Sequence, residues 1–161
     1  MSVTLWITGI NPEPWSAGTA FKRGPHAVGI AKDGKLRAYQ DALIDEFPIQ
    51  NPNQTMLDKN DTKLDVSFYF WRQTAANAAV ADATNMQKAT EDALQGLLYS
   101  NDRNNHKVSS TIMEQTPTTE PCIMIVVDHF RRDRILFIPK QPVTTTKWAD
   151  DDWVAPEEEM F

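Results

Sequence analysis

The polar residues best suited to chemistry lie between positions 82 and 102 of the 161-residue chain. At 100° per residue, Asn85, Lys88 and Asp92 fall within about 60° of one another on a helix, and apolar residues take the remaining side. Asp82 precedes this helix, and Asp102 follows the turn after it. We therefore expect two loop acids and one polar helix face to converge on a single point.

This combination of side chains suits the hydrolysis of a phosphodiester bond. Mg²⁺ takes oxygen ligands and is usually held by one or two carboxylates, with several waters retained. Such an ion activates water and offsets charge on the phosphate. A neighbouring lysine stabilises the negative charge of the transition state. The pattern thus favours metal-assisted chemistry on a phosphate ester.

The same residues also have ordinary structural interpretations. Asp82 is favoured near a helix N-terminus by the helix dipole, whatever its function. Lys88 and Asp92 are one turn apart, a spacing at which exposed ion pairs form and contribute little to stability. Thr84 and Gln87 have the spacing of a capping box, so Thr84 is predicted to cap the helix.

As a whole, the segment resembles the signature of the RusA family of Holliday junction resolvases. That signature runs Asp-x-Asp-Asn, Lys three residues later, then Asp-Ala-Leu, an aromatic residue and an acidic pair. The chain departs from it at Thr84, in place of the second acid, and at Asn101, in place of the first acid of the later pair. The residues that agree in register are Asp82, Asn85, Lys88, Asp92-Ala93-Leu94, Gly96, Tyr99 and Asp102.

The resemblance extends over roughly residues 3 to 128 and implies a homodimer that makes paired nicks in four-way DNA junctions. It implies Mg²⁺ as the cofactor, with Mn²⁺ as a substitute, and a phage or prophage setting. The catalytic residues that it implies are Asp82, Asn85, Lys88 and Asp102. The metal ligands that it implies are Asp82, Asp92 and Asp102.

The elements that must position these residues follow from local patterning. Helices are predicted over residues 34–47 and 84–99, and strands over 3–8, 26–31, 64–70, 107–113 and 122–128. Residues 11–25 and 48–61 are predicted loops, and the strand at 122–128 is predicted to be central because it is apolar on both faces. This order indicates a single compact α+β domain, a mixed β-sheet covered by two α-helices, over residues 1–130. Residues 131–161 are expected to form an acidic, partly disordered extension.

Charge is segregated along the chain. The formal net charge is −6, which taken alone argues against a nucleic-acid partner. However, the last fourteen residues hold six acids and no base, whereas residues 22–37 hold five bases and one acid. The predicted phosphate contacts are therefore Lys22, Arg23, Lys35 and Arg37.

The sequence also bears on location and on rival functions. No apolar run approaches the roughly 20 residues needed to span a bilayer, and the N-terminus lacks the basic start of a signal peptide. Cys122, the only cysteine, is expected to be a buried core residue in a reducing compartment. These features indicate the cytoplasm, with no membrane partner, and the resemblance implies that the cell is bacterial or phage-infected. Two rivals remain: a junction-binding protein with weak or lost cleavage, because of Thr84, and a non-enzymatic phage accessory protein, because of the net acidity.

Overall fold

The computed structural model of the chain describes residues 2–16, 19–25, 27–31 and 33–132. The chain divides into two compact units, Met1–Phe130 and Arg131–Phe161. The predicted acidic extension lies outside the described residues apart from its first two positions. The main elements are β1 (Val3–Thr8), β2 (Thr19–Gly24), β3 (Ala27–Ala31), α1 (Gly34–Gln50), β4 (Leu64–Gln73), α2 (Ala83–Leu94), β5 (Asn105–Thr116) and β6 (Cys122–His129).

The main sheet contains four strands in the order β1-β6-β4-β5. β6 runs antiparallel to both β1 and β4, whereas β4 and β5 run parallel. A parallel pair needs a crossover connection, and α2 lies in the segment that joins β4 to β5. The mixed sheet predicted from the sequence is thus confirmed, as is the inner position of β6. β2 and β3 form a separate antiparallel ribbon.

One face of the sheet carries the hydrophobic core. β4 alternates buried and half-buried side chains because successive residues of a strand point to opposite faces. Phe68 of β4 pairs with Ile125 of β6, which pairs with Leu5 of β1, so an apolar row crosses the sheet. The helices add their apolar faces to the same core cluster, through Leu36, Tyr39, Leu43 and Phe47 of α1 and Met86, Ala89, Ala93 and Leu94 of α2.

Buried polar contacts fix α2 against α1. The hydroxyl groups of Tyr39 and Thr90 are 2.6 Å apart, and Gln40 Nε2 donates to the carbonyl of Ala89 at 3.0 Å. A buried polar group without a partner would be destabilising, so these bonds select one rotation of α2 about its axis. That rotation leaves the polar face of α2 directed away from the core.

The first helix extends further than its pattern predicts. The prediction ended at residue 47, before Pro48, but α1 continues to Gln50. Gln50 Nε2 donates to the carbonyl of Thr8 at 3.0 Å, and the N–H of Thr8 donates to Gln50 Oε1 at 2.8 Å. These tertiary bonds hold the last turn of α1 and occupy part of the free edge of β1.

The second helix is shorter than predicted and has a different cap. Asp82 Oδ1 accepts the N–H of Thr84 at 2.8 Å, so Asp82 is the N-cap and the prediction that Thr84 caps the helix is wrong. The helix ends at Leu94 rather than near residue 99. Gly96 has a φ of 90°, in the left-handed region that terminates helices.

The segment between β1 and β3 also differs from its prediction. Residues 11–25 were predicted as loop, but Thr19–Gly24 forms β2 and pairs with β3. The pairing register shifts between Lys22 and Gly24. Local patterning is a weak guide here because a strand of this kind forms through its partner rather than through its own alternation.

Candidate functional site on helix α2

The N-terminal end of α2 is built around Asp82. Its carboxylate is exposed and caps the helix, at the positive end of the helix dipole. Thr84 is exposed at the second helical position and contributes its N–H to this cap. Asn caps helices about as well as Asp, so the negative charge of Asp82 is not needed for the fold.

The middle of α2 meets the loop formed by residues 11–16. The carbonyl of Asn85 accepts the N–H of Trp15 at 2.9 Å. The Lys88 ammonium lies 3.7 Å from the centroid of the Trp15 ring. Sequence reasoning missed Trp15 because it lies about seventy positions before the helix it contacts, in a loop with no periodic pattern.

The C-terminal end of α2 gathers acidic side chains. The Glu91 carboxylate accepts a hydrogen bond from Asn105 Nδ2 at 2.7 Å. Burial raises the pKa of Glu91, hydrogen bonds from Asn105 and Gln87 lower it, and the charges of Asp102 and Asp92 raise it further. The negative charges of Asp102 and Asp92 therefore both act on Glu91. Glu91 was not among the predicted site residues. Its hydrogen bond with Asn105 and its proximity to Asp102 both depend on the turn that follows α2.

A buried carboxylate fixes the turn that carries Asp102. Asp58 is only 4% exposed and accepts hydrogen bonds from the N–H of Ser100 at 2.9 Å, from Ser100 Oγ at 2.6 Å and from Asn104 Nδ2 at 2.8 Å. Burial alone would raise the pKa of Asp58, but the bonds from Ser100 and Asn104 outweigh it and lower the pKa to about 2. The donors flank Asp102, so Asp58 determines where that residue lies.

This arrangement predicts an acid-sensitive contribution to stability. Asp58→Ala leaves buried donors unpaired and should lower the free energy of unfolding by about 3 kcal/mol at neutral pH. The folded pKa of about 2 lies below the ordinary value of 3.8, so the stabilisation is complete above 3.8 and is lost as the pH falls toward 2. Urea unfolding of wild type and variant should therefore converge across that range. Asp41→Ala, at an exposed position of α1, is the control and should change little; an equal loss there, or a gap that persists at low pH, would contradict the assignment.

The predicted residues lie along α2 and in the turn that follows it. Asp82, Asn85, Lys88 and Asp92 follow one face of α2 and are called the α2 stripe below. α2 has 12 residues, a rise of about 18 Å, and Asp82 lies at its N-terminal end; the convergence of Asp82 and Asp102 on one point stays a prediction. Across the described ranges, no three His, Cys, Asp or Glu side chains gather as a protein-only metal site would require.

The predicted DNA-contact residues lie on two elements. Lys35 and Arg37 are exposed in the first turn of α1. A spacing of two residues directs them about 160° apart around the helix, so they do not share one face. Lys22 and Arg23 belong to β2, and their side chains lie outside what the structure describes.

Comparison with known proteins identifies the class. Residues 16–128 match the family described as endodeoxyribonuclease RusA. The matched range includes the β2–β3 ribbon, both helices, the α2 stripe and Asp102. The chain therefore belongs to the RusA endodeoxyribonuclease family, as the resemblance predicted, and this places it among the nucleases of DNA recombination. No curated protein sequence matches the chain.

Among the residues that the structure describes, no helix combines the length and the apolar character that crossing a bilayer requires.

Proposed function

We propose that the protein is a Holliday junction resolvase, a homodimer that nicks branched DNA at paired positions in the cytoplasm of a bacterial or phage-infected cell. The observation that carries this proposal is the family match over the segment that presents the α2 stripe and Asp102. Two symmetrical nicks require two active sites related by a two-fold axis, which a C2 dimer provides.

Mg²⁺ is the proposed cofactor, with Mn²⁺ as a substitute. Mg²⁺ needs only one or two carboxylates, since waters and substrate phosphates fill its remaining positions. The exposed carboxylates of Asp82, Asp92 and Asp102 suit that requirement without forming a closed cluster. When bound, the ion supplies an activated water and neutralises charge on the phosphate.

The remaining groups of the stripe act on the phosphate directly. The exposed ammonium of Lys88 stabilises the negative charge that develops as the phosphodiester bond breaks. The amide of Asn85 donates a hydrogen bond to a phosphate oxygen. Lys88 and Asn85 are neighbours at a spacing of three residues, so both can meet the same backbone segment of DNA.

Binding of DNA is assigned to basic residues outside the stripe. Lys22 and Arg23 on β2, and Lys35 and Arg37 on α1, are proposed to contact phosphates. Each neutralised phosphate releases counterions, so binding should weaken steeply as salt increases. The opposite directions of Lys35 and Arg37 imply that they contact different strands or different arms of a branched substrate.

The proposal is tested with the purified full-length protein and a labelled four-way junction. We expect paired nicks with Mg²⁺ or Mn²⁺, none with EDTA, and little cutting of linear duplex of the same sequence. Junction affinity is measured in parallel across a salt series. Salt-dependent binding without nicking at any metal concentration would support the binding-only rival. The absence of salt-dependent binding would overturn the proposal in favour of an accessory protein.

A further inference from the structure

An aromatic ring covers the lysine of the α2 stripe. Trp15 is half-buried against the core, and its ring centroid lies 3.7 Å from Lys88 Nζ. Its backbone N–H donates to the carbonyl of Asn85 at 2.9 Å. Trp15 is therefore held at two points: its indole packs against the core, and its backbone N–H is bonded to the helix residue that lies one turn before Lys88.

The loop that carries Trp15 is fastened to the sheet. Asn11 and Gln73 exchange two hydrogen bonds, Nδ2 to the carbonyl at 2.9 Å and N–H to Oδ1 at 2.8 Å. Arg72 Nε donates to the carbonyl of Pro12 at 2.8 Å, and its guanidinium pairs with Glu13 at 3.2 Å. The position of the indole is thus set by the end of β4 and not by the loop alone.

A fixed indole restricts a side chain that is otherwise free to move. An exposed lysine has many rotamers, and holding it in one position is entropically unfavourable. A cation over the face of a tryptophan ring is attracted by the negative charge of the ring face. The contact therefore reduces the range of positions that the Lys88 ammonium samples before DNA binds.

We propose that Trp15 is a positioning residue for Lys88, holding its ammonium where it meets the phosphate. The inference rests on the proposed function, in which Lys88 stabilises charge on that phosphate. Trp15 acts through Lys88, so removing the ring should have no further effect once the lysine is gone. A tryptophan that only packs against the core would act whether or not the lysine is present.

The test is a double-mutant cycle on junction nicking with Trp15→Leu, Lys88→Ala and the double variant. Trp15→Leu should lower kcat roughly fivefold, the factor expected for one cation–π contact, with KM for the junction nearly unchanged. Trp15→Phe, which keeps an aromatic face of weaker attraction, should lower kcat about twofold. In the Lys88→Ala background neither change should lower kcat further. Far-UV circular dichroism confirms folding, and Trp15→Phe supplies the comparison if the leucine variant does not fold.

A spectroscopic measurement reports the contact independently of cleavage. Lys88 Nζ lies 3.7 Å from the indole centroid, so the ring current should move the resonances of the neighbouring Cε protons upfield. That shift should disappear in Trp15→Leu and persist in Trp6→Leu, which removes a tryptophan that is 46% exposed on β1.

The outcomes separate the two proposals. If Lys88→Ala nicks like wild type, the role of Lys88 in the proposed function is wrong, and the positioning role of Trp15 falls with it. If Lys88→Ala is impaired but Trp15→Leu and Trp15→Phe are not, only the positioning role is overturned. Equal losses in both lysine backgrounds, or a Lys88 resonance without an upfield shift, would also overturn it.

Discussion

Asp82→Asn should reduce junction nicking roughly 1,000-fold while leaving the protein folded, a loss of the size seen when a group that stabilises transition-state charge is removed. The variant removes a carboxylate from the proposed metal site. The cap bond to the N–H of Thr84, 2.8 Å long in the wild type, needs only an acceptor oxygen, and Asn supplies one. Nicking is measured at saturating Mg²⁺, and junction affinity should stay close to wild type because it depends mainly on basic residues.

The chain offers a matched control for this variant. Asp33 caps α1 with the same geometry, its Oδ1 accepting the N–H of Lys35 at 2.8 Å. Asp33→Asn makes the same chemical change at the other helix, away from the α2 stripe, and should leave nicking within about twofold of wild type. If both variants lose activity, a capping effect explains the loss. If Asp82→Asn nicks like wild type, the proposed centre is wrong.

The parts of the fold that the sequence predicts are those governed by local alternation and helical spacing. β4 alternates strictly from Leu64 to Phe70, and its four apolar residues on one face, Leu64, Val66, Phe68 and Phe70, are buried in the core. α1 repeats apolar residues at helical intervals, and the same side chains are buried. Such patterns survive in the structure because each element must bury one face.

Element boundaries depended on distant contacts that no local pattern encodes. The end of α1 is held by Gln50, 42 residues from its partner Thr8. The strand at Thr19–Gly24 forms by pairing with β3. The cap of α2 was misplaced for a different reason, since Asp82 and Thr84 are both good capping residues and the sequence does not show which one accepts the bond.

The candidate site likewise has one part that local spacing predicts and another that depends on distant residues. The shared face of Asn85, Lys88 and Asp92 follows from rotation along one helix, so the sequence predicts it. Two supporting residues come from loops far away in the sequence. Trp15 contacts Lys88 on this face, and Asp58, which lies 42 residues from Ser100, holds the turn that carries Asp102. The convergence of Asp82 and Asp102 on one point depends on the turn after α2, which helical spacing does not encode, and it stays a prediction.

Thr84→Asp tests the position where the chain departs from the family signature. Thr84 is the second residue of α2 and is exposed. A carboxylate in the first turn interacts favourably with the helix dipole by about 0.3–1 kcal/mol, so the variant should keep the fold. Affinity for hard cations rises with the number of charged ligands. We therefore expect tighter Mg²⁺ binding and, at low Mg²⁺, nicking that is on the order of tenfold faster than wild type.

Thr84→Asn is the matched control, because it has nearly the shape of the aspartate variant without its charge. A Mg²⁺ titration of nicking on the four-way junction should move to lower concentration for Thr84→Asp alone. If both variants behave alike, charge at this position does not contribute to the metal site, and Thr84 does not replace a ligand. If wild type fails to nick at any Mg²⁺ concentration while Thr84→Asp succeeds, the natural protein is a junction-binding member of the family that lost cleavage with one carboxylate.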